Sequence, residues 1–141
     1  MLRRILRWVG LLLLVAFVAI QLKQPDRTNP PVESDVGAPP EVDAILRRAC
    51  YDCHSHETRW PWYGYVAPLS WWLEEHIDHA RSDMNFSRWP LFNPDEQAYI
   101  FEDIREQITK DEMPLKSFRI MHAEARLSEA EKELLLRWAG K

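Results

Sequence analysis

The chain has 141 residues and a formal net charge of −4, enough length for one domain and one targeting segment. Its charge is uneven: residues 1–23 hold Arg3, Arg4, Arg7 and Lys23 and no acid, so residues 24–141 are more acidic than the total suggests. An acidic body lacks the concentrated Lys and Arg that phosphate binding needs, which argues against nucleic acid as a partner.

Three arginines precede an uncharged run from Trp8 to Leu22. As a helix that run measures about 22 Å, and Ile5, Leu6 and the stems of Arg7 and Lys23 extend it toward the roughly 20 residues of a span. It is followed by no small-x-small cleavage site and no lipid-accepting Cys, so residues 1–23 read as a retained signal anchor and transmembrane helix rather than a removed signal peptide. The arginine bias puts the N-terminus in the cytoplasm of a single-pass bacterial inner-membrane protein, with the remainder in the periplasm. Residues 24–40 carry Pro25, Pro30, Pro31, Pro39 and Pro40 with few apolar side chains, and read as an extended linker. The folded domain is expected over residues 41–141.

Four helices are legible in that domain, and no segment alternates with period two for long, so the fold class is all-α. The first follows Pro39-Pro40 and runs from Glu41 to Cys50, with Val42, Ile45, Leu46, Ala49 and Cys50 on one face. The second starts near Pro68, with a stripe of Leu69, Trp72, Leu73, His76, Ile77 and Ala80. The third starts at Asn93-Pro94, an N-cap followed by Pro at N1, with Ile100 or Phe101, Ile104 and Ile108 on its face. The fourth opens on a capping box, Ser128 with Glu131, and presents Leu134, Leu135 and Trp138. Residues 55–67 and 111–127 are expected to be long loops.

The chemistry sits in Cys50-Tyr51-Asp52-Cys53-His54, a C-x-x-C-H motif. On a helix, positions i, i+3 and i+4 share a face, so two thiols and an imidazole point the same way. The thiols suit thioether bonds to the two vinyl groups of a haem, and His54 suits an axial place on its iron. Three rival readings are weaker. A redox dithiol expects a βαβ context, and none is visible. A structural disulfide has no need of His54. Zinc needs two further ligands, and His56, His76, His79 and His122 form no second tight pair. With two cysteines in the chain, one haem c is expected.

The same region resembles the haem-binding domain family of bacterial monohaem cytochrome-c-like proteins. The likeness lies in Cys50-Tyr-Asp-Cys-His-Ser-His-Glu-Thr-Arg-Trp-Pro-Trp-Tyr63, in Ala67-Pro-Leu-Ser-Trp71, in Asn85-Phe-Ser-Arg-Trp89, in Glu112-Met-Pro114 and in Ala125-Arg-Leu-Ser128. It covers residues 41–139. The sequence departs from the family at His56, where Asn is common, and at Leu115, where a second Pro is common. The resemblance implies a cytochrome-c-like helical domain around one covalent haem, and says little of the physiological reaction.

For the opposite face of the iron the expected ligand is Met113, in a loop between two predicted helices, where Pro114 holds its backbone toward extended values. Met84, Met121, His76, His79 and His122 are the alternatives. His76 reads as a hydrogen-bonded core residue, and His56 as a surface residue or propionate neighbour. Arg59, Trp60, Trp62 and Tyr63 are candidates for the haem pocket, because indole and phenol groups combine apolar area with a donor for propionates. The bland readings are a solvated Arg59 and a Trp-rich core. Electron transfer through a His/Met haem, with redox partner proteins at the membrane and no catalytic residue, is the expected function. A gas or redox sensor, an enzyme subunit with an open sixth position, and a structural haem module are the alternatives.

Overall fold

The computed structural model describes residues 1–140; Lys141, the last residue of the expected domain, lies outside them. Among the described residues the chain forms seven α-helices and three 3-10 turns and no strand. The helices are α1 (Leu2–Ile20), α2 (Pro40–Ala49), α3 (Tyr51–His54), α4 (Leu69–Asp83), α5 (Pro94–Thr109), α6 (Lys116–Met121) and α7 (Glu129–Ala139). The 3-10 turns span Trp62–Tyr65, Phe86–Leu91 and Ala123–Ala125.

Residues 2–19 of α1 are exposed, and none of the helix is buried. No helix among the described residues is long and apolar enough to cross a membrane. Arg3, Arg4 and Arg7 occupy the first two turns of α1, and the helix ends at Ile20, so its uncharged part is shorter than the run read from the sequence. The expected transmembrane span is therefore not supported.

The core forms where α2, α5 and α7 meet. α2 buries Val42, Ile45, Leu46 and Ala49, the face read from its spacing. α5 buries Ile100, Ile104 and Ile108, each burial being worth about 1.5–3 kcal/mol. α7 buries Leu135 and Ala139. Tyr51 and Phe86 stack at 5.1 Å beneath them, and Phe101 meets Trp138 edge to face at 5.0 Å. Both N-terminal devices form as capping boxes: Asn93 with Glu96 on α5, and Ser128 with Glu131 on α7.

Two local expectations need correction. On α4 the buried residues are Ser70, Leu73 and Ile77, while Leu69 and Trp72 face solvent. The large residues suggested one stripe, but a small serine packs inward beside Leu73. The expected loop 111–127 contains α6 and the Ala123–Ala125 turn. α6 is short and buries none of its residues, so its sequence carries no apolar period to read.

Residues 21–39 form no helix and lie along the domain. Pro25 is buried. Arg27 Nε donates to the Gly64 carbonyl (2.9 Å), Asn29 Nδ2 to the Thr58 carbonyl (2.9 Å), and Glu33 N to the Ser87 carbonyl (3.0 Å). Asp35 closes the series by accepting from Tyr51 Oη and pairing with Arg47.

Candidate cofactor site

Cys50 caps α2 with a non-helical backbone (φ −125°), and α3 begins at the next residue. The turn nevertheless holds, because Cys50's carbonyl accepts from Cys53 N (3.1 Å) and His54 N (2.9 Å). The attachment motif is thus a kinked turn between two helices rather than the end of one helix.

His54 lines an apolar cleft walled by Leu46 and Cys50 from α2 and its cap, Phe86, Ile104 and Ile108 of α5, and Leu135 of α7. The imidazole is oriented from behind. Its Nδ1 lies 3.0 Å from the Ala80 carbonyl and 3.3 Å from the Met84 carbonyl. Both partners are acceptors, so Nδ1 carries the proton and Nε2 keeps a free lone pair, the tautomer a metal ligand requires. Burial pushes the His54 pKa down, opposed by its two carbonyl partners, which keeps the ring neutral.

Met113 and Met84 line the same cleft. Met113 follows α5 and is held by a backbone hydrogen bond to Gln107 O at 3.4 Å. Met84 ends α4, and its own carbonyl is one of the groups behind the His54 ring. Met121 is 54 % exposed and absent from the cleft wall. His122 has both ring nitrogens engaged: Nδ1 with Glu124 at 2.9 Å and Nε2 with Tyr63 Oη at 2.9 Å. His76 Nδ1 bonds the Trp72 carbonyl at 2.8 Å, and His79 lies on an acidic surface with Glu74, Glu75 and Asp78.

The two cysteines do not share one wall. Cys50 lines the cleft, whereas Cys53 packs with Trp60 against Tyr63, Leu73 and Ile77. Burial, with the other thiol's charge adding, pushes the Cys50 thiol up to about 12. Burial, with Asp52 adding, pushes Cys53 up to about 11. Both are therefore protonated thiols near neutral pH.

The remaining pocket candidates are scattered. Arg59 pairs with Asp52 at 3.0 Å and stays largely exposed. Trp62 is 70 % exposed. Tyr63 is buried beside Cys53, and its hydroxyl donates to His122. Trp60 lies in the same cluster, and its Nε1 is buried with no hydrogen-bond partner. An orphaned buried donor costs about 1–3 kcal/mol unless something accepts from it.

His56 is a structural neighbour of the motif that its sequence position did not reveal. It is 8 % exposed rather than a surface residue. Its Nδ1 donates to the Pro31 carbonyl (2.7 Å), and Asn85 Nδ2 donates to its Nε2 (2.8 Å). Asn85 Oδ1 accepts from Ser87 N (3.0 Å), and Ser87 Oγ accepts from His56 N (2.9 Å).

An apolar slot with one thiol, one imidazole held in its ligating tautomer and a thioether near by defines a domain that receives a flat, metal-bearing macrocycle. The haem-binding domain family model matches residues 10–141, and the chain belongs to that family. No curated protein and no solved structure matches it. The residues of the cleft fit haem: His54 Nε2 suits the iron, and Leu46, Phe86 and Ile104 suit the ring. When bound, haem supplies a one-electron couple. Among the described residues no group of three or more His, Cys, Asp or Glu is placed to hold a metal ion.

Proposed function

We propose that the protein is a monohaem c-type cytochrome that carries electrons. Cys50 and Cys53 hold the haem as thioethers, and His54 and Met113 are its axial ligands. The observation that carries this reading is the His54 ring. Two backbone carbonyls fix the proton on Nδ1, and the other nitrogen is left to an apolar cleft that also holds Cys50 and Met113. Met113 is preferred over Met84 because Met84 places its backbone behind the imidazole, on the His54 side of the site. Two axial ligands leave no position for substrate, which favours an electron carrier over an enzyme or gas sensor.

The protein works at a bacterial inner membrane, on the periplasmic side, with redox proteins as partners. What supports this is α1: an apolar helix from Trp8 to Ile20 that nothing in the chain covers, preceded by three arginines suited to anionic headgroups. The covalent reading is tested on protein matured in a haem-attaching host. Haem should persist through denaturing electrophoresis and acid-acetone extraction, and Cys50→Ala with Cys53→Ala should release it. Complete extraction of haem from the wild type would refute it.

A further inference from the structure

α1 does not hand over to a free tether. The Gln21 side chain, one residue past the helix, bonds the Ala67 backbone on both sides: Nε2 donates to Ala67 O (3.1 Å), and Ala67 N donates to Oε1 (2.9 Å). Two residues further on, Trp71 Nε1 donates to the Lys23 carbonyl (2.7 Å). The end of α1 is thus docked on the haem domain at the start of α4.

That docking point is bordered by large exposed side chains. Trp62 is 70 % exposed, Tyr65 54 %, Leu69 49 % and Trp72 39 %. Trp62 and Tyr65 are three apart in one 3-10 turn, and Leu69 and Trp72 three apart on α4, so each pair shares a face. The turn and α4 pack against each other. Two cations lie over this aromatic ground: Lys23 Nζ is 5.9 Å from the Trp71 ring, and Arg27 Cζ is 4.2 Å from the Tyr65 ring. The acids of α4, Glu74, Glu75 and Asp78, begin only after its first turn.

We infer that Trp62, Tyr65, Leu69 and Trp72 form a seat that rests the haem domain in the headgroup layer of a lipid bilayer. The inference deepens the membrane reading of α1 and rests on it. Lipid is favoured over another occupant by continuity: on the membrane reading the exposed apolar face of α1 lies in lipid, and its end, bonded to Ala67, brings this face to the water–lipid boundary with it. The chemistry agrees, since Trp and Tyr prefer that boundary and Lys23 and Arg27 suit lipid phosphates. The domain is then held in one orientation against the membrane.

The test uses the full haem-loaded chain in vesicles of mixed phosphatidylcholine and phosphatidylglycerol, doped with a lipid carrying a photoactivatable group high on its acyl chain. Lipid adducts mapped by mass spectrometry should fall both in α1 and in residues 62–72. They should be missing from Tyr99, which is 73 % exposed and serves as the internal control. Trp62→Ser with Trp72→Ser, both surface changes, should keep the chain floating with vesicles while adducts in residues 62–72 fall several-fold. Adducts confined to α1 would overturn the seat and leave the anchor standing. Failure of the chain to float, with no adduct in α1, would overturn the anchor and the seat with it. Protein–protein cross-links through residues 62–72 would assign the face to a second copy and overturn the lipid reading.

Discussion

His54 Nδ1 lies 3.0 Å from the carbonyl oxygen of Ala80, near the C-terminal end of α4. One backbone contact thereby couples the attachment turn to a helix 26 residues away and decides which ring nitrogen faces the cleft. An imidazole so held keeps its angle without help from solvent. The same contacts place α4 and Met84 behind the ring, whereas Met113 reaches the cleft from beyond the end of α5.

Met113 is therefore the residue to change. Ferric wild-type protein should be low-spin and show the weak thioether-to-iron charge-transfer band. Met113→Ala should lose the band, lower the midpoint potential and admit carbon monoxide to the ferrous iron. Met84→Ala should keep the band. Absorption spectra and a redox titration decide the matter; loss of the band in Met84→Ala alone would transfer the ligand role.

The thiols offer a test of burial. In the haem-free chain their pKa values are raised, Cys53 to about 11 and Cys50 to about 12, from 9.0. At pH 8 a two-unit rise lowers the thiolate fraction about 100-fold, and only the thiolate alkylates well. Iodoacetamide should react with the native haem-free chain on the order of 100-fold more slowly than with the same chain in denaturant. The linked stability has a definite sign: it is fully present below pH 9, where both states hold the proton. It is lost as pH rises toward the folded values, because the unfolded chain ionises first. Equal alkylation rates in the two states would show that the thiols are not buried.

The sequence exposed this site unevenly, for physical reasons. Cys50, Cys53 and His54 were legible because C-x-x-C-H is a recognisable haem-attachment spacing. The faces of α2 and α5 were legible because their buried residues recur with helical period. The register of α4 was not. Leu69 and Trp72 are apolar at helical spacing yet exposed, and no periodicity rule separates a side chain that packs on protein from one that faces outward. Residues 24–40 read as a linker because their ties to the domain are isolated hydrogen bonds to backbone groups and pairs between residues distant in sequence, such as Asp35 with Tyr51 and Arg47, and neither leaves a compositional trace. His122 is an alternative ligand by sequence, but Glu124 engages its Nδ1 and Tyr63, 59 residues away, engages its Nε2, and that second contact is invisible in the sequence.

The capping box of α7 was visible as Ser128 and Glu131, and its contribution is measurable. Ser128 Oγ accepts from Glu131 N at 3.3 Å, and Ser128 N donates to Glu131 Oε2 at 2.8 Å. Ser128→Ala removes the first bond, together with the one that Ser128 Oγ donates to Glu131 Oε2 (2.8 Å), and should cost about 1 kcal/mol in chemical denaturation. Ser128→Asp should retain most of the stability, since its carboxylate caps the same N–H groups.

The network around His56 should matter more to the course of the chain than to the haem. His56 bonds Pro31 on one side and Asn85 on the other, and its own N–H reaches Ser87. His56, Asn85 and Ser87 are buried, whereas Pro31 is exposed. Replacing the ring with alanine strands the buried Asn85 amide and frees the Pro31 carbonyl to water. A buried group left unpaired costs about 1–3 kcal/mol, and His56→Ala should lower stability by about that much. Because Pro31 lies in the segment laid along the domain, the loss should appear first as faster proteolysis within residues 24–39. The His54-ligated spectrum should be nearly unchanged, since His54 is held by Ala80 and Met84 instead. Limited proteolysis followed by mass spectrometry, beside an absorption spectrum, reads both effects. An altered spectrum with an uncut segment would mean that His56 serves the iron site and not the packing of residues 24–39.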